Sequence, residues 1–270
     1  MARLPVAGPD FPAAGQGLSV SGIDIDAIDW RRPWLDPYRV QGLRVAARLA
    51  DGASVAQALN AEPGRPRLAC GRELMFVSDS PGSEAYEAFI ARTAQVPTRD
   101  NLHDFFNGLV WLAFPTLKAH LNRLQAGQIA EAGIGGTRGA VRDALTLFDE
   151  NALLFQAPGS LQDALRRRDW RGLFVDRRGD WPQARVTLFG HALLEKLVRP
   201  RKAITAHAWL LPAAVEGAGL ADHLAAHLTP EVLASKSHCP LPVLGVPGWW
   251  PDNASPTFYD DPVVFRPKRR

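Results

Sequence analysis

An apolar stretch interrupted by polar residues, Asp100–Gln125 (DNLHDFFNGLVWLAFPTLKAHLNRLQ), constrains the fold more than any other part of this sequence. Pro115 cannot donate the backbone hydrogen bond that a helix interior needs, so the stretch predicts two helices hinged there. Asp100 or Asn101 is a suitable cap for the first helix, because a short polar side chain can accept a backbone N–H. Both helices carry large apolar faces and are therefore expected to lie in the core.

Polar side chains recur on both predicted helices at helical spacing. His103 and Asn107 are four residues apart and share a face of the first helix, while Lys118, Asn122 and Gln125 form a stripe on the second. The positive end of the helix dipole favours a neutral His103, which is the form that a base or a metal ligand needs. A capping histidine and a solvated stripe are an equally simple interpretation, because amphipathic helices commonly look like this.

A second candidate group follows a predicted strand at Arg185–Phe189. The next helix begins HALLEKLV, in which His191 and Glu195 are four residues apart. This pair can bind one divalent ion or act as a base with its orienting carboxylate, although such pairs are also common surface features. His207 lies in a predicted strand, Ala203–Leu211. It is either part of a site or a hydrogen-bonded core residue, and the core interpretation is favoured.

The segment Ala144–Phe155, ALTLFDENALLF, predicts a β-hairpin. Two apolar runs flank Asp149, Glu150 and Asn151, whose side chains favour turns by bonding to nearby backbone groups. The acidic pair could also supply metal ligands, but a plain turn is the favoured interpretation. Three charged residues precede the apolar runs, Arg138, Arg142 and Asp143, and Arg138 is a candidate for binding an anion.

The overall pattern predicts an α+β fold, a mostly helical single domain with a small sheet that includes this hairpin. Helices outnumber strands, and no strict βαβ rhythm is present. From Ser237 onward prolines exclude regular helix, yet the aromatic residues are too apolar for a disordered tail, so we expect a long irregular segment wrapped on the body. Residues 1–20, rich in Pro, Gly and Ala, predict a loosely ordered arm, and residues 21–267 predict one globular domain.

Composition and missing motifs exclude several classes of protein. The two cysteines are too few for a disulfide scaffold, and no apolar window reaches the roughly 18 residues of a membrane span. The N-terminal residues lack the apolar run of a signal peptide, so we expect a cytoplasmic protein. The motifs GxGxxG, GxxxxGK[ST], GxSxG and HExxH are absent, which disfavours nucleotide cofactors bound in the usual ways.

The charge distribution limits the partners less strictly. The net charge is +3, and most of the positive charges are guanidinium groups, which suit carboxylate and phosphate partners. Nucleic-acid binding would require these charges on one face, a condition that the sequence leaves open.

Several long segments together resemble a bacterial domain-of-unknown-function family, DUF3025. They are HDFFNGLVWLAFPTLKAHLN, RDALTLFDEN, FGHALLEKL, ITAH and GWW…FYDDPVVFRP, and the resemblance runs from about Trp30 to Pro267. It implies a single-domain bacterial cytosolic protein and carries no established activity. In the family pattern the position of Asp104 is often Asn, so the resemblance leaves His103 and Asn107 as the better candidates.

We therefore expect an enzyme, a hydrolase or transferase that acts on a small anionic or phosphate-bearing substrate, with a divalent metal compatible with its residues. The predicted catalytic residues are His103, His191, Glu195 and His207. The predicted substrate-binding residues are Asn107, Lys118, Asn122 and Arg138. The alternatives are a non-catalytic protein that binds a protein or nucleic acid through an Arg/Trp-rich surface, and a purely structural role for these polar residues. No cofactor or oligomeric state is assigned.

Overall fold

The computed structural model describes residues 23–132, 139–213, 219–235 and 237–268. Within these ranges the chain is mostly helical with two small sheets, which confirms the predicted α+β class. The predicted arm, residues 1–20, lies outside the described residues. The helices are α1 Arg39–Ala50, α2 Val55–Asn60, α3 Tyr86–Thr93, α4 Leu102–Ala113, α5 Pro115–Ala132, α6 Ala140–Asn151, α7 Gly159–Arg167, α8 His191–Lys196, α9 Gly219–His227 and α10 Pro230–Ala234. The strands are β1 Met75–Val77, β2 Gln95–Pro97, β3 Ala152–Gln156, β4 Arg185–Leu188, β5 Thr205–Leu211 and β6 Cys239–Pro242.

The larger sheet has the strand order β4-β3-β5-β6, and β1 and β2 form a separate parallel pair. β3 pairs antiparallel with β4 and parallel with β5, and β5 pairs antiparallel with β6. Every residue of β3, ALLFQ, is buried. A central strand covered on both faces needs an apolar run rather than alternation. Because α6 leads directly into β3, the end of α6 is fixed against the core.

The hinge predicted at Pro115 is confirmed, since α4 ends at Ala113 and α5 begins at Pro115. Asn101 caps α4 as predicted, and its side-chain oxygen accepts the Asp104 N–H at 2.7 Å. All residues of α4 from Asp104 to Leu112 are buried. The helix pair therefore lies in the core.

The predicted hairpin at Ala144–Phe155 is wrong. α6 continues to Asn151, and β3 begins at the next residue. The buried face of α6 follows the helical period and consists of Ala144, Leu145, Phe148 and Asp149. Asp149 takes no part in a turn because Lys118 binds its carboxylate in the interior, and a tertiary contact of this kind overrides local preference.

The segment after Ser237 lies across the body, as predicted, and includes the short strand β6. Trp170 donates its indole N–H to the main-chain oxygen of Arg266 at 2.8 Å. Phe265 is buried and packs edge-on against Trp170 and Tyr259. Aromatic packing therefore holds this proline-rich segment where regular structure is excluded.

The buried apolar side chains form one continuous cluster that extends from Ile23 to Phe265. Within the ranges given above, no helix combines the length and the apolar character that a membrane crossing requires.

Gly190 allows α8 to begin directly against the end of α6. A Cβ atom at this position would lie 2.5 Å from the Glu150 main-chain oxygen and 2.5 Å from the Asn151 nitrogen. The Gly190 N–H donates to the Ala152 carbonyl at 2.9 Å. This close approach places His191, the first residue of α8, beside the last turn of α6.

Substitution Gly190→Ala should lower the free energy of unfolding by about 1–3 kcal/mol, because backbone atoms would have to move apart. Urea denaturation of both proteins measures the difference. Gly179→Ala is the matched control, since a Cβ atom at residue 179 meets nothing within 4 Å. Equal stability of Gly190→Ala and the wild type would contradict the described contact.

Glu62 is held by two arginines of α1. Its side chain is 0% exposed, and its oxygens lie 2.6 Å from Arg44 Nη2 and 2.6 Å from Arg48 Nη1. Burial tends to raise the pKa of Glu62, but the two guanidinium groups outweigh it and the pKa is lowered from its ordinary value.

This ion pair should make stability depend on pH in the acid range. A carboxylate with a lowered pKa stabilises the fold fully above its unfolded pKa of about 4.3, and the contribution is lost as the pH falls through the folded value. Glu62→Gln should therefore be less stable than the wild type at neutral pH, and the difference should shrink on acidification. Denaturation at a series of pH values tests this, and a pH-independent difference would refute it.

Candidate functional site

A cavity of about 510 Å³ lies between α3, α4, α5 and α6, and the first residue of α8 also lines it. This volume lies within the range of small-molecule sites. Seven of the polar lining residues lie on the inward faces of two of the helices. They are His103, Asp104 and Asn107 on α4, and Arg142, Thr146, Asp149 and Glu150 on α6.

Two histidines that are distant in sequence meet in this cavity. The Nε2 atoms of His103 and His191 are 3.1 Å apart, and the two rings are arranged edge to face with centroids 4.6 Å apart. His103 is in the first turn of α4, and His191 begins α8, so the approach depends on the packing of these two helices.

Each imidazole is oriented by an oxygen on its far side. His191 Nδ1 lies 2.9 Å from the Asp149 carbonyl, and His103 Nδ1 lies 3.0 Å from Oε2 of Glu195. A carbonyl and an ionised carboxylate can only accept, so both Nδ1 atoms carry hydrogen, a tautomer assigned from the partners. A neutral imidazole has one N–H. When both rings are neutral, both Nε2 atoms are therefore without hydrogen, and two lone-pair-bearing nitrogens lie 3.1 Å apart.

Glu150 completes a set of three residues that are able to bind a metal ion. Its Oε2 lies 3.6 Å from His191 Nε2, and one ligand atom from each of His103, Glu150 and His191 lies within 4.8 Å of the others. With zinc–nitrogen bonds of about 2.0–2.1 Å, the 3.1 Å separation of the Nε2 atoms corresponds to an angle of about 98° at the metal. This value lies between the octahedral and tetrahedral angles, so this one distance is compatible with two nitrogen ligands on a transition-metal ion.

Burial and neighbouring charges set the protonation of this group. Burial lowers the pKa of His191 to about 4, so the ring is neutral at pH 7. Burial also raises the pKa of Glu150 above its ordinary value. For Asp149, burial raises the pKa, but the charge of Lys118 and other nearby groups outweighs it and the pKa is lowered, so this carboxylate stays ionised.

The buried ammonium group of Lys118, on α5, binds the last turn of α6. Lys118 Nζ donates to both carboxylate oxygens of Asp149, at 2.6 and 2.8 Å, and to Asn107 Oδ1 at 2.9 Å. Asn107 in turn donates to the Tyr86 hydroxyl at 3.1 Å. Lys118 has three N–H groups and all are directed at protein oxygens, so the geometry gives it a positioning role. Substrate binding by Lys118 and Asn107 stays a prediction.

Asn122 lies deeper on α5 and binds Glu87 of α3. Its amide donates to the Glu87 main-chain oxygen at 3.0 Å and to the Glu87 carboxylate at 2.5 Å. Burial, together with the charge of Asp149, raises the pKa of Glu87. Glu87 lines the cavity, so Asn122 acts on the cavity by orienting Glu87.

One other predicted residue, His207, is not part of this group. His207 lies on β5, where its ring stacks on that of His238 with centroids 4.2 Å apart, and it does not line the cavity. Its buried Nδ1 has no hydrogen-bond partner among the described residues, and burial lowers its pKa to about 4. Arg138 lies outside the described residues, and its predicted role stays a prediction.

Sequence reasoning assigned Glu150 to a turn and therefore did not place it beside the histidines. The signal was the helical spacing of Arg142, Thr146 and Glu150, at i, i+4 and i+8, which a helical interpretation of 140–151 would have placed on one face.

A family model described as a protein of unknown function, DUF3025, matches residues 74–269. The matched range contains all the cavity residues named above and begins later than the resemblance proposed from about Trp30. The searches of curated proteins and of solved structures each found no match.

Replacing Lys118 alone should destabilise the protein strongly. Its side chain is 5% exposed and that of Asp149 is 12% exposed, so Lys118→Met leaves a buried carboxylate without its partner, at a cost of about 3–5 kcal/mol. The double variant Lys118→Met/Asp149→Leu should recover part of this loss. Denaturation of wild type, single and double variants measures the coupling, and a double variant that is no more stable than Lys118→Met would refute it.

Proposed function

We propose a function for this chain, which belongs to the DUF3025 family, from the chemistry of its cavity. The cavity is an active site in which His103, His191 and Glu150 hold one divalent cation. The reaction is hydrolysis or group transfer on a small anionic or phosphate-bearing substrate.

The contact between the two Nε2 atoms carries this proposal. Two unprotonated nitrogens 3.1 Å apart repel each other through their lone pairs, and a cation bound by both nitrogens would replace this repulsion with two coordinate bonds. The outer nitrogens support the same conclusion. Metal-binding histidines commonly donate their other N–H to a carboxylate or a carbonyl, as His103 does to Glu195 and His191 to Asp149.

The ligand set favours a particular kind of metal. Two imidazoles and one carboxylate suit zinc, iron or manganese better than calcium, which prefers oxygen ligands. Three protein ligands leave coordination positions open, and a cation there supplies Lewis-acid chemistry. The side chains of His103 and Glu195 are 33% and 40% exposed, so a substrate can approach from this side.

A proton shared between the imidazoles would remove the same repulsion without a metal. His103 would then donate Nε2–H to His191, and the pair would act as an acid–base dyad. Metal binding separates these two states, because a shared proton requires neither a cation nor Glu150.

The alternative of a non-catalytic Arg/Trp-rich binding surface has one supporting contact. The Arg32 guanidinium lies 5.6 Å from the Trp34 ring centroid and 5.1 Å from that of Trp250. Trp34 is buried and Trp250 is half-buried, so this pairing stabilises the local packing on its own, and binding of a protein or nucleic acid through it stays a prediction.

Calorimetric titration of EDTA-treated protein with Zn²⁺ tests the proposal. We expect about one equivalent to bind to the wild type, and His191→Ala and Glu150→Gln to lose this binding, while Glu195→Gln should bind about 10–100-fold more weakly because it only orients His103. The matched control is Asp143→Asn, which removes an exposed carboxylate from the same helix as Glu150.

Two results would refute the metal site: no stoichiometric binding to the wild type, or equal binding by Glu150→Gln. The proposed hydrolytic activity is tested with p-nitrophenyl phosphate and bis(p-nitrophenyl) phosphate. Their turnover should disappear with EDTA and return with Zn²⁺. Turnover unaffected by both EDTA and Glu150→Gln would contradict it.

A further inference from the structure

Arg142 carries a charge that no residue of the described chain compensates by direct contact. It lines the cavity from α6, and its Nε atom is buried without a hydrogen-bond partner among the residues that the structure describes. A guanidinium group stays charged at any physiological pH. Burying part of it without a partner is unfavourable, so the cavity contains an unsatisfied donor.

Two acidic residues that line the same cavity are, unlike Arg142, bound in ion pairs. Arg99 pairs with Asp104, with Nε 2.9 Å from Oδ2, and the carboxylate of Asp149 is bound by Lys118. These acidic groups therefore have their own cationic partners. Glu87 and Glu150 also line the cavity, and neither forms an ion pair with Arg142 among the described residues.

The position of Arg142 relative to the histidine pair follows from α6. Arg142, Thr146 and Glu150 lie at i, i+4 and i+8 on the helix and all line the same cavity. Eight residues correspond to about 12 Å along a helix axis. The guanidinium and the proposed metal ligands therefore lie at separate places along one wall of the cavity.

We infer that Arg142 binds an oxyanion of the substrate, a phosphate or carboxylate group that lies away from the reacting bond. The proposal rests on the proposed function, because it treats the anion as the far end of the molecule that reacts beside His103 and His191. A guanidinium group can bind either kind of oxyanion in a bidentate manner, through two parallel hydrogen bonds. The substrate class is then an extended small molecule with an oxyanion at one end, of a size that fits about 510 Å³.

The test uses the whole chain, treated with EDTA and then freed of it by dialysis, so that neither the proposed metal nor the chelator takes part. Inorganic phosphate and succinate are titrated separately at constant ionic strength into wild type, Arg142→Gln and Arg142→Lys. We expect saturable binding of at least one anion to the wild type and at least tenfold weaker binding to Arg142→Gln. Arg142→Lys should be intermediate, because lysine keeps the charge and loses the fork.

Arg167→Gln is the matched control, since it removes an exposed arginine and changes the net charge equally. It should bind the anion as the wild type does. Tighter binding of phosphate assigns a phosphate-bearing substrate, and tighter binding of succinate assigns a carboxylate. Circular dichroism establishes that each variant is folded before titration.

The inference is overturned if the wild type binds neither anion, or if Arg142→Gln binds within twofold of the wild type. It is also overturned if Arg167→Gln weakens binding as much as Arg142→Gln does. Failure here leaves the metal site intact, because Zn²⁺ binding is measured separately with the His191 and Glu150 variants. Conversely, loss of the metal site alone does not change anion binding by the metal-free protein.

Discussion

The buried ion pair between Lys118 and Asp149 determines how the helices around the cavity are arranged. Two charges removed from water are tolerated only when each is well paired and hydrogen-bonded. Both carboxylate oxygens of Asp149 accept hydrogen bonds from the Lys118 ammonium group, and the remaining N–H of Lys118 donates to Asn107. α5 and α6 are therefore tied together at one place, and α4 is tied to both.

The same network sets the orientation of the histidines. The carbonyl of Asp149, the residue that holds Lys118, accepts from His191 Nδ1, so the position of the imidazole depends on the end of α6. Gly190 permits α8 to approach closely enough for this bond. Glu195 then orients His103 from the other side. Packing, charge pairing and the chemistry of the cavity thus depend on one set of contacts.

Local features of the fold were predictable where the cause is local. The Asn101 cap and the break at Pro115 follow from backbone chemistry within a few residues, and both are confirmed. The end of α6 was not predictable in this way. Asp149 and its neighbours have strong turn preference, and the partner that keeps them helical, Lys118, is 31 residues away in sequence.

In the candidate site, too, locally determined features were predictable and those that depend on tertiary contacts were not. His103, His191 and Glu195 stood out because of their helical positions, but the contact between the histidines spans 88 residues and depends on tertiary packing. Glu150 was assigned to a turn because the helix containing it was not recognised. Arg142 was noted in the sequence as one of the charged residues before the predicted hairpin, but its missing partner is visible only in the structure, since a lack of contacts has no sequence pattern.

The central claim is that one cation is bound by both Nε2 atoms. Crystals of the Zn²⁺-loaded protein, measured on both sides of the zinc absorption edge, test it directly through the anomalous difference map. We predict one strong peak within about 2.2 Å of Nε2 of both His103 and His191 and of a Glu150 oxygen. A map without this peak, in which the two Nε2 atoms remain in contact, would contradict the account and assign the contact to a shared proton.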